Sequence, residues 1–207
     1  MFFYCQNQQA KMDIFTQVNL CRFCEPELPL GAKPIIQGNS LSKILIIGQA
    51  PGLKAHNSRL PFNDPSGDRL RSWLAVERAQ FYNPDLFAIM PMAFCYPGKG
   101  KSGDLAPKAV CAPKWHQQVF ASLKQVSLTL LIGQYAQRYY LPQYSSVTDM
   151  VKAANYETQN MIPLPHPSPR NQIWLKKHNW FEECVIPQLQ VKVRKALDGH
   201  EAAIIPI

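Results

Sequence analysis

Four short apolar runs constrain this chain more than any other feature: Lys43-Ile44-Leu45-Ile46-Ile47-Gly48, Leu86-Phe87-Ala88-Ile89-Met90, Leu128-Thr129-Leu130-Leu131-Ile132-Gly133 and Asn160-Met161-Ile162-Pro163-Leu164. None alternates apolar with polar residues, so neither face of these segments suits water. Such continuous runs belong to a parallel sheet covered on both sides. Between them lie stretches with helical spacing. Arg69 to Val76 puts Leu70, Trp73 and Leu74 on one face, and Trp115 to Leu123 and Gln134 to Tyr140 read the same way. Trp174 to Leu197 reads as one long helix or two, interrupted near Pro187. Strands alternating with helices predict an α/β fold with right-handed crossovers. The loops leaving the carboxyl ends of the strands then build the site, which directs attention to the residues after Ile47, Met90, Ile132 and Leu164. Tyr96 to Pro113 and the tail after Leu197 read as the long irregular pieces.

Composition narrows the function classes. A chain of 207 residues is the size of one domain, here 1–207 with a motif-bearing core at about 18–190. No apolar run approaches the roughly 20 residues of a membrane span. The start, Met1-Phe2-Phe3-Tyr4-Cys5-Gln6-Asn7, lacks the basic n-region and long apolar stretch of a signal peptide. The expectation is therefore a cytoplasmic protein, without membrane contact, whose thiols stay reduced. With 22 Lys+Arg against 14 Asp+Glu, the charge of +8 points to an anionic partner, of which nucleic acid is the common one.

Cys21-Arg22-Phe23-Cys24 forms a CxxC, and Cys95 and Cys111 follow far downstream with fifteen residues between them. A close pair plus two distant thiolates can hold a [4Fe–4S] cluster or a structural zinc ion, and spacing alone does not choose between them. Buried free cysteines are the plainer alternative. Cys5 and Cys184 read as ordinary thiols.

The first strand runs into Gly48-Gln49-Ala50-Pro51-Gly52, then Pro61-Phe62-Asn63-Asp64-Pro65-Ser66-Gly67-Asp68. Neither phosphate-binding glycine pattern is present. Phe62, after a proline in a polar loop, is either a stacking platform for a flat ligand or an aromatic tucked into the core. The last strand runs into Pro165-His166-Pro167-Ser168-Pro169-Arg170-Asn171, where prolines stiffen a loop carrying a histidine. That stiffness suits a group preorganised towards developing charge.

Taken together, Gly48-Gln49-Ala50-Pro51-Gly52, Pro61-Phe62, Ser66-Gly67 and His166-Pro167-Ser168-Pro169 resemble the motifs of the uracil-DNA glycosylase superfamily. The four cysteines match its iron–sulfur branches, families 4 and 5. The resemblance implies a three-layer α/β/α sandwich around a central four-stranded parallel sheet, acting as a monomer. It implies a monofunctional DNA glycosylase that hydrolyses the N-glycosidic bond of uracil or another damaged base, after flipping the nucleotide out of the stack. Carried over by motif, Phe62 stacks on the base and the backbone at Gln49 and Ala50 contacts a base carbonyl. His166 donates to the carbonyl oxygen that gains charge. Ser168 and Pro169 press the DNA backbone, and Arg170 is a candidate wedge. Asp64 is the expected water-activating carboxylate, with His56 and Asp68 in reserve, although Asp64-Pro65-Ser66-Gly67 also reads as a helix-capping turn. Cys21, Cys24, Cys95 and Cys111 hold a [4Fe–4S] cluster, with zinc the alternative.

Family 4 carries Asn at the position of Pro91, where it reads the base edge, and proline has no such side chain. Asn57, Asn63 and Asn171 are the substitutes, with hypoxanthine and xanthine as open as uracil. Lys99, Lys101 and Lys108, together with Arg170, Lys176 and Lys177, would form a phosphate-binding rim. Two rival readings remain: a catalytically weak or inactive iron–sulfur DNA-binding module of the same fold, and a zinc-stabilised α/β protein acting on a free nucleotide or another small ligand. The apolar tail Ala202 to Ile207 has no assigned role.

Overall fold

Every apolar run becomes a strand, and all of them run the same way. A computed structural model describes residues 12–199; Cys5 and the tail Ala202 to Ile207 lie outside them. The strands are β1 (Ile44–Ile47), β2 (Phe87–Ile89), β3 (Lys99–Gly100), β4 (Gly103–Asp104), β5 (Leu128–Ile132) and β6 (Met161–Leu164). The helices are α1 (Ile14–Asn19), α2 (Leu53–Ser58), α3 (Pro65–Leu74), α4 (Arg78–Phe81), α5 (Cys111–Ser122), α6 (Gln134–Tyr140), α7 (Val147–Ala153), α8 (Gln172–Lys177) and α9 (Ile186–Asp198). The central sheet has the order β2-β1-β5-β6 with every pair parallel.

Side chains alternate across this sheet and both sets are buried. Ile44, Ile46, Ile89, Leu130, Ile132 and Ile162 pack with Leu70, Trp73, Phe181 and Leu189 from α3, the turn before α9, and α9 itself. Leu45, Ile47, Met90 and Leu131 face Val18, Ala112, Val119 and Ala136 from α1, α5 and α6. Two cores on opposite faces make the three-layer α/β/α sandwich.

The structure departs from the sequence pattern in three places. The piece expected to be irregular, Tyr96 to Pro113, contains the antiparallel hairpin β3–β4 and the start of α5. Two-residue strands carry no periodic signal, so nothing in the pattern announces them. Helix α5 accordingly begins at Cys111 rather than Trp115. In the last helical stretch the chain breaks at 178–180, and a π turn, Phe181–Val185, runs directly into α9. Pro187 sits in the first turn of α9, directly after the π turn.

Three histidines are held neutral by this packing. Burial pushes the His116 imidazole down to about 4, and burial also lowers His56 and His166 below 6.5. The unfolded chain therefore binds more protons than the folded one below about pH 6.5, so stability falls as pH drops from there towards 4. For His116 alone the loss between pH 7 and pH 5 is about 2 kcal/mol. Denaturant unfolding at both pH values should show at least this difference. His116→Gln, which still donates and accepts, should flatten it while lowering stability at pH 7.

Candidate active site at the strand ends

The chain places β2 beside β1, then crosses over to lay β5 on the other side of β1. The reversal lies between β1 and β5, and open α/β sheets bind ligands at such a point, outside the carboxyl ends of the strands. A cleft of about 750 Å³ lies there. Its walls come from residues 48–52 after β1, Pro61 to Ser66, the 102–104 hairpin, 132–135 after β5, and the loop from His166 to Trp174. Gln49, Ala50, Phe62, Asp64, His166, Ser168, Arg170 and Asn171 thus share one cavity.

The aromatic wall is built under strain. Phe62 is half-buried, with φ of 52°, a left-handed conformation that a bulky residue rarely adopts. Its ring meets Phe81 edge-on at 6.2 Å and lies over Gly48, where a β-carbon would come within 3.1 Å of the ring. The loop is clamped from behind. The Tyr82 hydroxyl donates to the Pro61 carbonyl at 2.9 Å, and the buried Arg71 guanidinium, paired with Asp68 at 2.5 Å, reaches the Phe62 carbonyl. Asp68 is committed to this clamp and His56 is buried against Tyr96; neither lines the cleft.

The histidine wall is fixed through hydrogen bonds. The Ser168 N–H donates to His166 Nδ1 at 3.1 Å, so the neutral imidazole carries its proton on Nε2. Burial lowers its pKa, and the Asp64 carboxylate across the cleft opposes that shift. Asn171 Nδ2 donates to the His166 carbonyl at 3.1 Å, leaving its Oδ1 as a free acceptor. The backbone behind is pinned too. Buried Gln137 donates to the Leu131 and Leu164 carbonyls, and Gly133, with φ of 79°, leaves room for the His166 ring.

Asp64 caps α3 and also lines the cleft. Its Oδ1 accepts from the Gly67 N–H at 2.9 Å and caps α3, while its other oxygen takes no hydrogen bond from the described residues. Asn63 is held by Arg78, and neither it nor Asn57 lines the cleft, so Asn171 is the asparagine present there. Pro91 contributes an apolar part of the wall. Tyr135, Gln134, Asp104 and Trp174 also line the cleft and carried no sequence signal beyond following a strand or flanking a motif.

A model of the uracil DNA glycosylase superfamily matches residues 35–190, three quarters of the chain and every residue of this cleft. The chain belongs to that superfamily. Membership supports a function of the DNA glycosylase type with DNA as partner. No helix of the described residues is long and apolar enough to cross a membrane.

At the mouth of this glycosylase-type cleft, the Arg170 guanidinium donates to the Ser102 carbonyl at 2.8 Å and lies against Gly103. Lys99 and Lys101 stand exposed on the same hairpin. Pro169 is exposed at the rim in the turn that Ser168 caps. Lys108, expected on that rim, instead pairs with Glu27 at 2.7 Å beside the cysteines, because α5 starts early and draws it there.

Cys21, Cys24, Cys95 and Cys111 open onto one small recess with Phe23, Phe94 and Lys108. Burial, then the neighbouring cysteines, pushes the Cys95 thiol up to about 11 and the Cys111 thiol to about 12. Among the described residues, no three His, Cys, Asp or Glu groups converge tightly enough to hold a metal ion as they stand. Cys184 is exposed and free.

The Phe62 clamp makes Gly67 indispensable. A β-carbon there would lie 1.7 Å from the Phe62 carbonyl oxygen, which is backbone and has no room to move aside. Gly67→Ala should therefore cost roughly 2 kcal/mol or more in thermal unfolding and displace the Phe62 ring. Gly48→Ala meets only the ring edge and should be much milder.

Proposed function

We propose that this protein is a monofunctional glycosylase that hydrolyses the N-glycosidic bond of a deaminated base in DNA, uracil first among them. The arrangement of His166 carries the reading: a half-buried neutral imidazole, its donor fixed on Nε2, shares a cleft with a stacking ring and a carboxylate. A base extruded from the duplex stacks on Phe62, and His166 Nε2–H donates to the carbonyl oxygen that gains charge as the bond breaks. The bonding electrons leave with the base. Asp64 orients water through its uncommitted oxygen and stabilises the cationic sugar, and that water supplies the new oxygen on the sugar. No lysine is among the described residues lining the cleft, which favours water over an amine nucleophile. Asn171, with one amide N–H tied to the backbone, presents Oδ1 as an acceptor for an edge N–H such as deamination creates.

Oligonucleotides carrying uracil, hypoxanthine or xanthine, incubated with the protein and then cleaved with alkali, should show base release from at least one. No product from any of them would overturn the activity. Tight binding to uracil DNA without release would point instead to the inactive DNA-binding module. His166→Ala should lower kcat at least about 100-fold, the worth of one preorganised donor. Asp64→Asn keeps a helix cap yet removes the charge, so it should lose rate without losing stability. Because the His166 pKa is lowered, the catalytic neutral form persists from pH 8 down through 6.5, and the rate should fall only in more acid solution.

We also propose that Cys21, Cys24, Cys95 and Cys111 hold a [4Fe–4S] cluster that clasps the N-terminal segment to α5. The support is a sulfur-only donor set surrounding a recess rather than closing on one point. A tetrahedral zinc site needs its sulfurs about 2.3 Å from a single ion. Freshly purified protein should be brown, absorb in the blue and contain iron with equal acid-labile sulfide. Stoichiometric zinc in place of iron would overturn the assignment.

A further inference from the structure

The chain carries a formal charge of +8, yet its cleft is acidic. Three charged side chains line it, Asp64, Asp104 and Arg170, and the Arg170 guanidinium is held at the mouth by the Ser102 carbonyl. Neither carboxylate has an ion-pair partner among the described residues. Asp104, from β4, takes no step in the hydrolysis of a deaminated base, but its position is built. The hairpin register sets Asp104 opposite Lys99, and the Leu105 N–H closes the hairpin on the Gly98 carbonyl at 2.8 Å. The hydroxyl of buried Tyr96 donates to the Asp104 carboxylate. Each of the four glycines lining the cleft faces one charged or site side chain: Gly48 the Phe62 ring, Gly133 His166, Gly103 Arg170, and Gly52 the Asp104 carboxylate. A β-carbon at Gly52 would touch Asp104 Oδ2 at 3.4 Å.

A second carboxylate works against a base that leaves with negative charge. It favours a base that arrives with positive charge, and so does the face of an aromatic ring such as Phe62. An inserted base displaces water from the cleft, which strengthens both attractions. Positive charge on a base arises when a ring nitrogen of adenine or guanine is alkylated, and a cleft of about 750 Å³ has room for a purine. We propose that the cleft also excises cationic N-alkylated purines from DNA, with Asp104 as the residue that selects for their charge. The bond from the sugar to the ring nitrogen breaks, and its electrons pass to the base and neutralise it. Water oriented by Asp64 supplies the new oxygen on the sugar and gives its proton to solvent. The departing base is neutral, so it needs little from His166. This inference rests on the reading that the cleft takes a base from DNA, and it adds a second substrate class.

Duplex DNA methylated with dimethyl sulfate, incubated with the protein and assayed by mass spectrometry, should release 3-methyladenine or 7-methylguanine faster than the same DNA without protein. Asp104→Asn should lower the ratio of kcat/KM for alkylated purines to that for the deaminated base at least about tenfold. A merely structural role for Asp104 would lower both alike. His166→Ala should move the ratio the other way, because only the deaminated base depends on its hydrogen bond. Release of alkylated purines alone also supports the proposal, with Asp104→Asn then losing that kcat/KM at an unchanged melting temperature. No release above the protein-free control, or an unchanged ratio in Asp104→Asn, overturns the proposal and leaves excision of deaminated bases standing. If neither class of base is released, the glycosylase reading itself falls and takes this proposal with it.

Discussion

Four parallel strands with both faces covered leave no strand surface for chemistry. Leu45 and Ile47 face one core while Ile44 and Ile46 face the other, and all four are fully buried. The hydrophobic gain of that arrangement holds the sheet together and also confines polar work to the loops at the strand ends. Because the crossover direction reverses between β1 and β5, the loops after these two strands diverge and leave a cavity. The two residues at its base, Gly48 and Gly133, are both glycines. One makes room for the Phe62 ring and the other for the His166 ring.

The cleft gives up local stability for that geometry. A left-handed Phe62 costs of order 1–3 kcal/mol, and the half-buried neutral His166 costs more as the solution becomes acid. Several contacts offset these costs: the Asp64 cap on α3, the Tyr82 and Arg71 hydrogen bonds behind Phe62, and the two hydrogen bonds of Gln137 to the ends of β5 and β6. Each cap or buried hydrogen bond is worth about 1 kcal/mol, so several acting together hold the strain of one residue. The site is rigid because its supports outnumber its distortions.

The strands and their loops were legible because burial on both faces leaves a continuous apolar run, and the site motifs lie directly after those runs. The clamp behind Phe62 was not. Arg71 reads as an exposed cation on an amphipathic helix, and only the fold shows it buried over Phe81 and Tyr82. Gln137 is likewise a helical polar residue until α6 is laid against the strand ends. The hairpin that brings Asp104 to the cleft is too short to have a period. Lys108 shows the converse: its charge suggested a DNA rim, but a four-residue error in where α5 starts moves it to the cysteine recess.

Pro91 and Pro163, awkward in a strand, fit for one reason: β2 and β6 are the sheet's edges. An edge strand has a side without a ladder, and a proline facing it loses no hydrogen bond. Along the continuation of β2, Met90 and Met92 donate to Ile46 and Gly48, so residue 91 points away from β1. Its outward carbonyl is then the group that needs a partner, and buried His116 donates to it at 3.2 Å from the middle of α5. The same helix begins at Cys111, and the same strand continues to Cys95. The wall of the cleft at Pro91 and the cysteine recess are therefore held by two shared segments of backbone. With the Pro91 carbonyl taken and no side-chain amide there, Pro91 offers the cleft no polar group, whereas Asn171 and His166, on the loop after β6, are bonded into place along its lining.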